Sequence, residues 1–232
     1  MNRKEYFSLN RDFELFRKDR RISGVALHDY KNIINSQYNN NYINPSIIEE
    51  RQLNVTQLDV FSRLMIDKIL FLGTPIDDTV SNILVAQLLF LQSVDSSSTI
   101  NLYQNSPGGS IDSGLAILDC MNFIKNPVNT LVCGMSASMS FVITVCGEKR
   151  SALKHSRLMC HQPMTGIPNG TQCSDIIINT NEIIKMRDEL YRIISEKTKQ
   201  PFEKISQDSD RDKWFSAEEA RDYGAIDEVI GI

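Results

Sequence analysis

The chain has 232 residues, enough for one sizeable domain with a real core, and its formal net charge of -4 comes with no sustained basic stripe, which removes nucleic-acid binding from the function classes. Its five cysteines, Cys120, Cys133, Cys146, Cys160 and Cys173, are odd in number and contain no CxxC pair. They read as buried small apolar residues in a reducing, cytoplasmic setting, and neither as a disulfide framework nor as ligands to a metal. Arg3, Lys4, Glu5, Arg11, Asp12 and Glu14 interrupt the N-terminus, which argues against a secretory signal. The uncharged run from Asn126 to Gly147 has nearly the length of a membrane span, but Pro127, Asn129, Gly134 and its serines make it a poor lipid segment, so no membrane role is expected.

In chain order, residues 1–45 form a polar arm, rich first in mixed charge and then in asparagine, that is expected to be mobile or processed. Residues 46–232 hold the folded domain. Gln57 to Met65 reads as a short amphipathic helix with Leu58, Phe61, Leu64 and Met65 on one side. Ile69 to Leu72 before Gly73 reads as a buried strand. Asp77 or Asp78 caps a helix whose stripe is Val80, Ile83, Leu84, Leu88 and Leu91, with Gln87 as its one polar member. A strand from Thr99 to Gln104 leads into Asn105-Ser106-Pro107-Gly108-Gly109, then a helix with Leu115, Leu118 and Met121, then a strand from Val128 to Cys133. This βαβα alternation implies a mainly parallel sheet with flanking helices and right-handed crossovers.

A run of Gly, Ala and Ser broken by Met135 and Met139, from Gly134 to Ser140, separates that strand from the apolar helix Phe141 to Val145. A strand that turns sharply into a helix presents a side chain where unpaired amides favour negative charge, and Ser138 sits there. Ser156 to Cys160 makes a further strand that ends in His161-Gln162-Pro163. Ser174 and Asp175 open a helix that reaches about Lys197, with Ile176, Ile183, Ile184, Leu190, Tyr191 and Ile194 as its stripe. That is about twice the usual ~11 to 12 residues, so the helix is expected to project and bury its stripe on another subunit. An acidic turn, Asp208 to Asp212, precedes a last helix capped by Ser216 with Glu219.

A serine hydroxyl needs a base, and the base needs an acceptor to orient it. Of three histidines, His28 lies in the arm, His155 at a turn, and His161 at a strand end, where βα proteins place functional groups. Asp212 is the preferred acceptor, because Trp214 and Phe215 beside it are expected to anchor the turn, but Asp208 and Asp210 remain alternatives at this level. The amides of the Gly108-Gly109 turn suit an oxyanion.

The blocks Asn105 to Gly109, Gly134 to Met139, Arg157 to Pro163 and Asp208 to Asp212, followed by Ser216 to Ala220 and Tyr223-Gly224, resemble the ClpP family, the proteolytic subunits of ATP-dependent Clp proteases. The resemblance runs from about Ile47 to the C-terminus. It implies a crotonase-like α/β fold, two stacked heptameric rings, and a serine endopeptidase that cuts unfolded polypeptides inside their chamber. Folded substrates would be delivered by a hexameric AAA+ ATPase of the ClpX, ClpA or ClpC type, which uses the ATP; the subunit itself would carry no cofactor. By the same resemblance Ser138 is the nucleophile, His161 the base and Asp212 its orienter. Backbone amides at Gly108, Gly109 and Met139 would form the oxyanion hole, Asp210 and Arg211 would contact the opposite ring, and residues 166–197 would form the handle that joins the rings.

Ser136 and Ser140 replace small residues usual around the nucleophile, and Gln104 replaces an apolar one. The loop Gly147 to Arg150 is short, Thr165 stands for a handle glycine, and Ile167-Pro168-Asn169 enlarges a turn. Two other readings compete: a non-catalytic ring subunit of a mixed barrel, and an acyl-CoA hydratase or isomerase of the crotonase fold. The latter class has no need of a serine with His and Asp partners.

Overall fold

The computed structural model describes residues 46–51, 54–166 and 168–231. The arm over residues 1–45, with His28, lies outside the described residues. The chain divides into two compact units between Val60 and Phe61. The first contains β1 (Ser46–Arg51) and β2 (Asn54–Asp59), paired antiparallel. This corrects the single helix expected from Gln57 to Met65, since α1 covers only Val60–Ile66. The spacing of Leu58, Phe61, Leu64 and Met65 satisfies a helical period. However, the β-branched pair Val55-Thr56 starts a strand, and pairing with β1 carries it to Asp59.

The second unit is the expected α/β sheet. Strands β3 (Ile69–Leu72), β4 (Ile100–Ser106), β5 (Val128–Ala137), β6 (Arg150–Leu153) and β9 (Glu228–Ile230) lie side by side in that order, all parallel. β7 (Arg157–Cys160) runs parallel to the end of β5, and β8 (Lys213–Ser216) antiparallel to β7. β3 is an edge strand and only half buried: Leu70 and Leu72 face the core, while Phe71 points outward and stacks on Tyr103.

Three helices, α2 (Asp78–Val94), α3 (Ile111–Phe123) and α4 (Met139–Val145), connect the strands. Asp77 caps α2 by accepting from the Val80 amide at 2.8 Å. The core face of α2 is Ser81, Leu84, Leu88 and Leu91, and Ile83 is exposed, contrary to the expected stripe. Ser81 shifts the face because its hydroxyl donates to the Ser113 carbonyl of α3 at 2.7 Å.

The sheet forks at β5. Thr130 to Val132 pair with β6, whereas Met135 to Ala137 pair with β7. Across from β4 the register slips between these segments, for Gln104 faces Val132 but Ser106 faces Ser136. Such a bulge leaves backbone groups to satisfy. Asn105 Oδ1 accepts from the Met135 amide at 3.1 Å, and Ser156 Oγ accepts from the Gly134 amide at 3.2 Å while donating to the Val132 carbonyl at 2.8 Å. Gly134, at φ 144°, has no room for a side chain, since a Cβ there would lie 2.5 Å from Asn105 Oδ1. β5 therefore continues to Ala137, past the end expected at Cys133, and its last residues are delivered to β7.

α5 (Cys173–Thr198) has 26 residues, about 39 Å at the usual rise. Only its C-terminal part is buried, through Leu190, Tyr191, Ile194 and Thr198; Ile178 is 63% exposed, so the helix projects as expected. α6 (Phe202–Asp208) and α7 (Ala217–Tyr223) complete the unit, and Ser216 and Glu219 close both bonds of a capping box on α7. Cys120, Cys146 and Cys160 are buried, and burial pushes their thiols up. Cys173, at the start of α5, is exposed, contrary to the expectation of burial. Among the described residues no helix is long and apolar enough to cross a membrane.

Candidate active site

Neighbouring strand ends bring three distant residues together. Ala137 of β5 is in register with Met159 of β7, and Cys160 of β7 with Lys213 of the antiparallel β8. The next residue beyond each pairing is therefore Ser138, His161 and Asp212. His161 Nε2 is 2.8 Å from Ser138 Oγ, and His161 Nδ1 is 3.2 Å from Asp212 Oδ1.

Ser138 sits at φ 56°, ψ -123°, a conformation that costs a non-glycine residue on the order of 1–3 kcal/mol and that the surroundings must hold. Its amide donates to the Met159 carbonyl at 2.9 Å and its carbonyl accepts from the Val142 amide at 3.3 Å. The hydroxyl makes no capping bond to α4 and is left for His161. The other two aspartates are committed elsewhere. Asp208 meets Lys204, Lys213 and Tyr223 at 2.7, 2.6 and 2.8 Å, and Asp210 Oδ1 accepts from Gln162 at 3.3 Å.

The Gly108-Gly109 turn packs directly against Ser138. Ile76 pins it, its amide donating to the Gly108 carbonyl at 2.8 Å and its carbonyl accepting from the Ser110 amide at 2.9 Å. A Cβ on Gly108 would lie 2.8 Å from both Met139 N and Ser138 Cβ. The Gly108 amide is turned to Ser106 Oγ at 3.2 Å, so Gly108 contributes space where a third donor was expected. The Gly109 and Met139 amides have no acceptor among the described residues. Beside the serine lies a cleft of about 450 Å³, lined mainly by apolar side chains that include Ile111, Val142, Met159, Leu190 and Ile194. Its shape and composition suit an extended apolar side chain next to a reacting carbonyl.

The family model described as Clp protease matches residues 51–232. Curated relatives described as "ATP-dependent Clp protease proteolytic subunit" include one from Bacteroides thetaiotaomicron, 54% identical over 90% of this chain and 93% of its own length. Others come from Bacteroides fragilis, 57% identical over 82% of this chain and 91% of the relative, and Porphyromonas gingivalis, 50% identical over 90% and 92%. The chain belongs to the Clp protease family.

In this Clp protease chain the turn that carries Asp212 is braced by Phe215, as expected, and by Gln162, whose role the sequence did not show. The Gln162 amide donates to the Ser209 carbonyl at 2.6 Å and its side chain to the Asp210 carbonyl at 2.8 Å, so the residue after His161 holds the turn. Phe215 is buried and stacks on Phe141 of α4. Trp214, expected to share that anchoring, is 44% exposed because successive strand residues face opposite ways. The only signal for the Gln162 brace is a polar residue next to a motif residue, which any surface turn would also show.

Asp208 is the anchor of this brace. Burial raises its carboxyl, but the bonds from Lys204, Lys213 and Tyr223 outweigh that and hold it at about 2. An unfolded aspartate titrates near ~3.9, so the stabilisation is complete above that value and is lost as the pH falls from about 4 through about 2. Asp208→Asn is expected to lower the urea midpoint at pH 7 and to flatten its dependence between pH 4 and pH 2. Parallel curves for both proteins across that window would show that the carboxylate is not the anchor.

Proposed function

We propose that this chain is the proteolytic subunit of an ATP-dependent protease, a serine endopeptidase that cuts unfolded polypeptides to short peptides. The observation that carries the reading is the alignment of the three side chains, with His161 Nε2 hydrogen-bonded to Ser138 Oγ and His161 Nδ1 3.2 Å from Asp212 Oδ1. In the proposed mechanism Ser138 Oγ attacks the scissile carbonyl while His161 Nε2 takes its proton, and Asp212 holds the other ring N–H and the imidazolium charge. The carbonyl oxygen, now an oxyanion, accepts from the amides of Gly109 and Met139. His161 returns the proton to the leaving amine, which departs and leaves an ester on Ser138. Water, activated by His161, then hydrolyses that ester. His161 carries the proton in both steps, and ATP is spent by the partner.

The assembly belongs to the same proposal: two stacked heptameric rings, joined by the region 166–197, in the cytoplasm, with a hexameric AAA+ ATPase of the ClpX, ClpA or ClpC type as the unfolding partner. Ile177, Ile178 and Ile184 on projecting α5 supply apolar surface for a second subunit. Asp212 is 60% exposed in the single subunit against 10% for His161, so one side of its turn awaits cover. Arg211 beside it is exposed and, among the described residues, has no ion-pair partner within its own chain. With Asp210 it is proposed to meet the opposite ring. Arg211→Ala, and Arg211→Lys for want of a bidentate fork, are expected to yield single rings with little peptidase activity. Normal double rings and normal turnover by native mass spectrometry and peptide assay would remove Arg211 from the interface.

The reading as a whole is tested by degradation assays on the purified protein. Short peptides should be cut by the subunit alone, and a stably folded protein only with the ATPase and ATP. Failure to cut short peptides as an assembled double ring would favour the non-catalytic subunit instead.

A further inference from the structure

Alternate residues of β4 face the core, and two of those positions are polar: Gln104 and Ser106. Gln104 is fully buried, behind the nucleophile turn and away from the cleft lining. Its Oε1 accepts from Thr144 at 2.7 Å, Ser140 at 2.9 Å and Ser136 at 3.2 Å, all three hydroxyls being buried as well. The hydroxyls also lie within hydrogen-bond distance of one another, Ser136 of Thr144 at 2.7 Å and of Ser140 at 3.1 Å, and Thr144 lies 3.1 Å from the Ser140 carbonyl, so their three hydrogens are shared among these contacts. Gln104 Nε2 is left without an acceptor.

An apolar core would be simpler here. A buried polar cluster with one orphan donor is a stability liability, and an explanation is owed for such a group. Its placement supplies one. Ser136 and Ser140 lie two residues before and two after Ser138, and Gln104 lies on the strand that runs into Gly108 and Gly109. The ladder between β4 and β5 is interrupted at this point, for the register slips between Gln104, opposite Val132, and Ser106, opposite Ser136. A bulge disrupts the ladder locally and leaves its extra residues unpaired. The cluster spans the slip from the inside, tying β4 to the last turn of β5 and the first turn of α4.

We infer that Gln104 is a positioning residue for the peptidase reaction: through Ser136, Ser140 and Thr144 it sets the distance between the Gly109 amide on one segment and Ser138 and the Met139 amide on the other. The inference rests on Ser138 being the nucleophile. A misplacement of oxyanion donors affects the transition state and leaves ground-state binding in the cleft untouched, so it lowers kcat and spares KM.

The test is a double-mutant cycle on the assembled protein with a short fluorogenic peptide. Gln104→Met keeps length and volume but removes the amide. The expected result is a kcat about tenfold lower, a KM within about twofold, and a thermal midpoint unaltered or raised. Ser140→Ala should lower kcat by a few-fold alone and add little to Gln104→Met, since both act through one cluster. A merely structural cluster would change the midpoint and leave kcat, and that result overturns the inference. Should Gln104→Met not assemble, Ser140→Ala decides, for it removes one hydroxyl and opens almost no void; wild-type kcat in it also overturns the inference. Ser138→Ala runs in parallel. If it retains activity, the nucleophile assignment has failed, whereas an inactive Ser138→Ala beside a fully active Gln104→Met sinks only the role of Gln104.

Discussion

Ser138→Ala is expected to lower kcat for short peptides by about 10⁴-fold or more, with the double ring intact and the thermal midpoint within ~2 °C of the parent. The size follows from chemistry: without Oγ there is no acyl-enzyme, and what remains is the weak catalysis that oriented amides offer to water. The harmlessness to the fold follows from geometry. The strained backbone at Ser138 is held by Met159 and Val142 through main-chain bonds that alanine keeps, and the hydroxyl caps nothing. His161→Ala should cost about as much, and the two losses should not add, because the residues act as one unit. A Ser138→Ala protein that assembles and retains more than a few per cent of activity would contradict the assignment.

Gly108→Ala is expected to be nearly as severe for a different reason. The added methyl would lie 2.5 Å from the Ala137 carbonyl oxygen and 2.8 Å from Met139 N and Ser138 Cβ. None of these is the free end of a flexible side chain. The residue would also be held at φ 86°, which alanine disfavours by roughly 1–2 kcal/mol. With overpacking at roughly 1–3 kcal/mol, the protein should lose about 2–5 kcal/mol of stability. Loss of the space in front of the Met139 amide should lower kcat/KM by about 10²- to 10³-fold. Gly73→Ala is the matched control, since a Cβ there meets nothing within 4 Å. Comparable kcat/KM in Gly108→Ala and Gly73→Ala would show that the turn does not shape an oxyanion site.

Ser138 and His161 were legible because each follows a recognisable strand in a short block of unusual small or polar residues, whereas Asp212 sits one step before β8, a strand too short to show a period. Proximity among those blocks was legible only through resemblance; the strand register that creates it is not written in any one of them. The elements that escaped are those whose pattern is weak or ambiguous. β6 and β9 are short and carry Arg150, Ser151 and Glu228, so neither period nor composition marks them. The strand over Gln57 to Asp59 was hidden by an apolar spacing that suits helix equally well. Ile83 and Trp214 face outward against expectation, because a composition-based stripe cannot tell which of two apolar faces meets the neighbouring helix or strand. Asp212 could be chosen over Asp208 and Asp210 only on the aromatic residues behind it. The structure separates the three by partners: Asp208 is neutralised by two lysines, Asp210 is tied to Gln162, and Asp212 alone reaches His161.

Ser138 as a nucleophile activated by His161 is tested most directly by a fluorophosphonate probe on the assembled protein, followed by peptide mapping. One adduct per subunit is predicted, on Ser138, forming far more slowly in His161→Ala and not at all in Ser138→Ala. An adduct on another serine, or equal labelling of all three proteins, would contradict it.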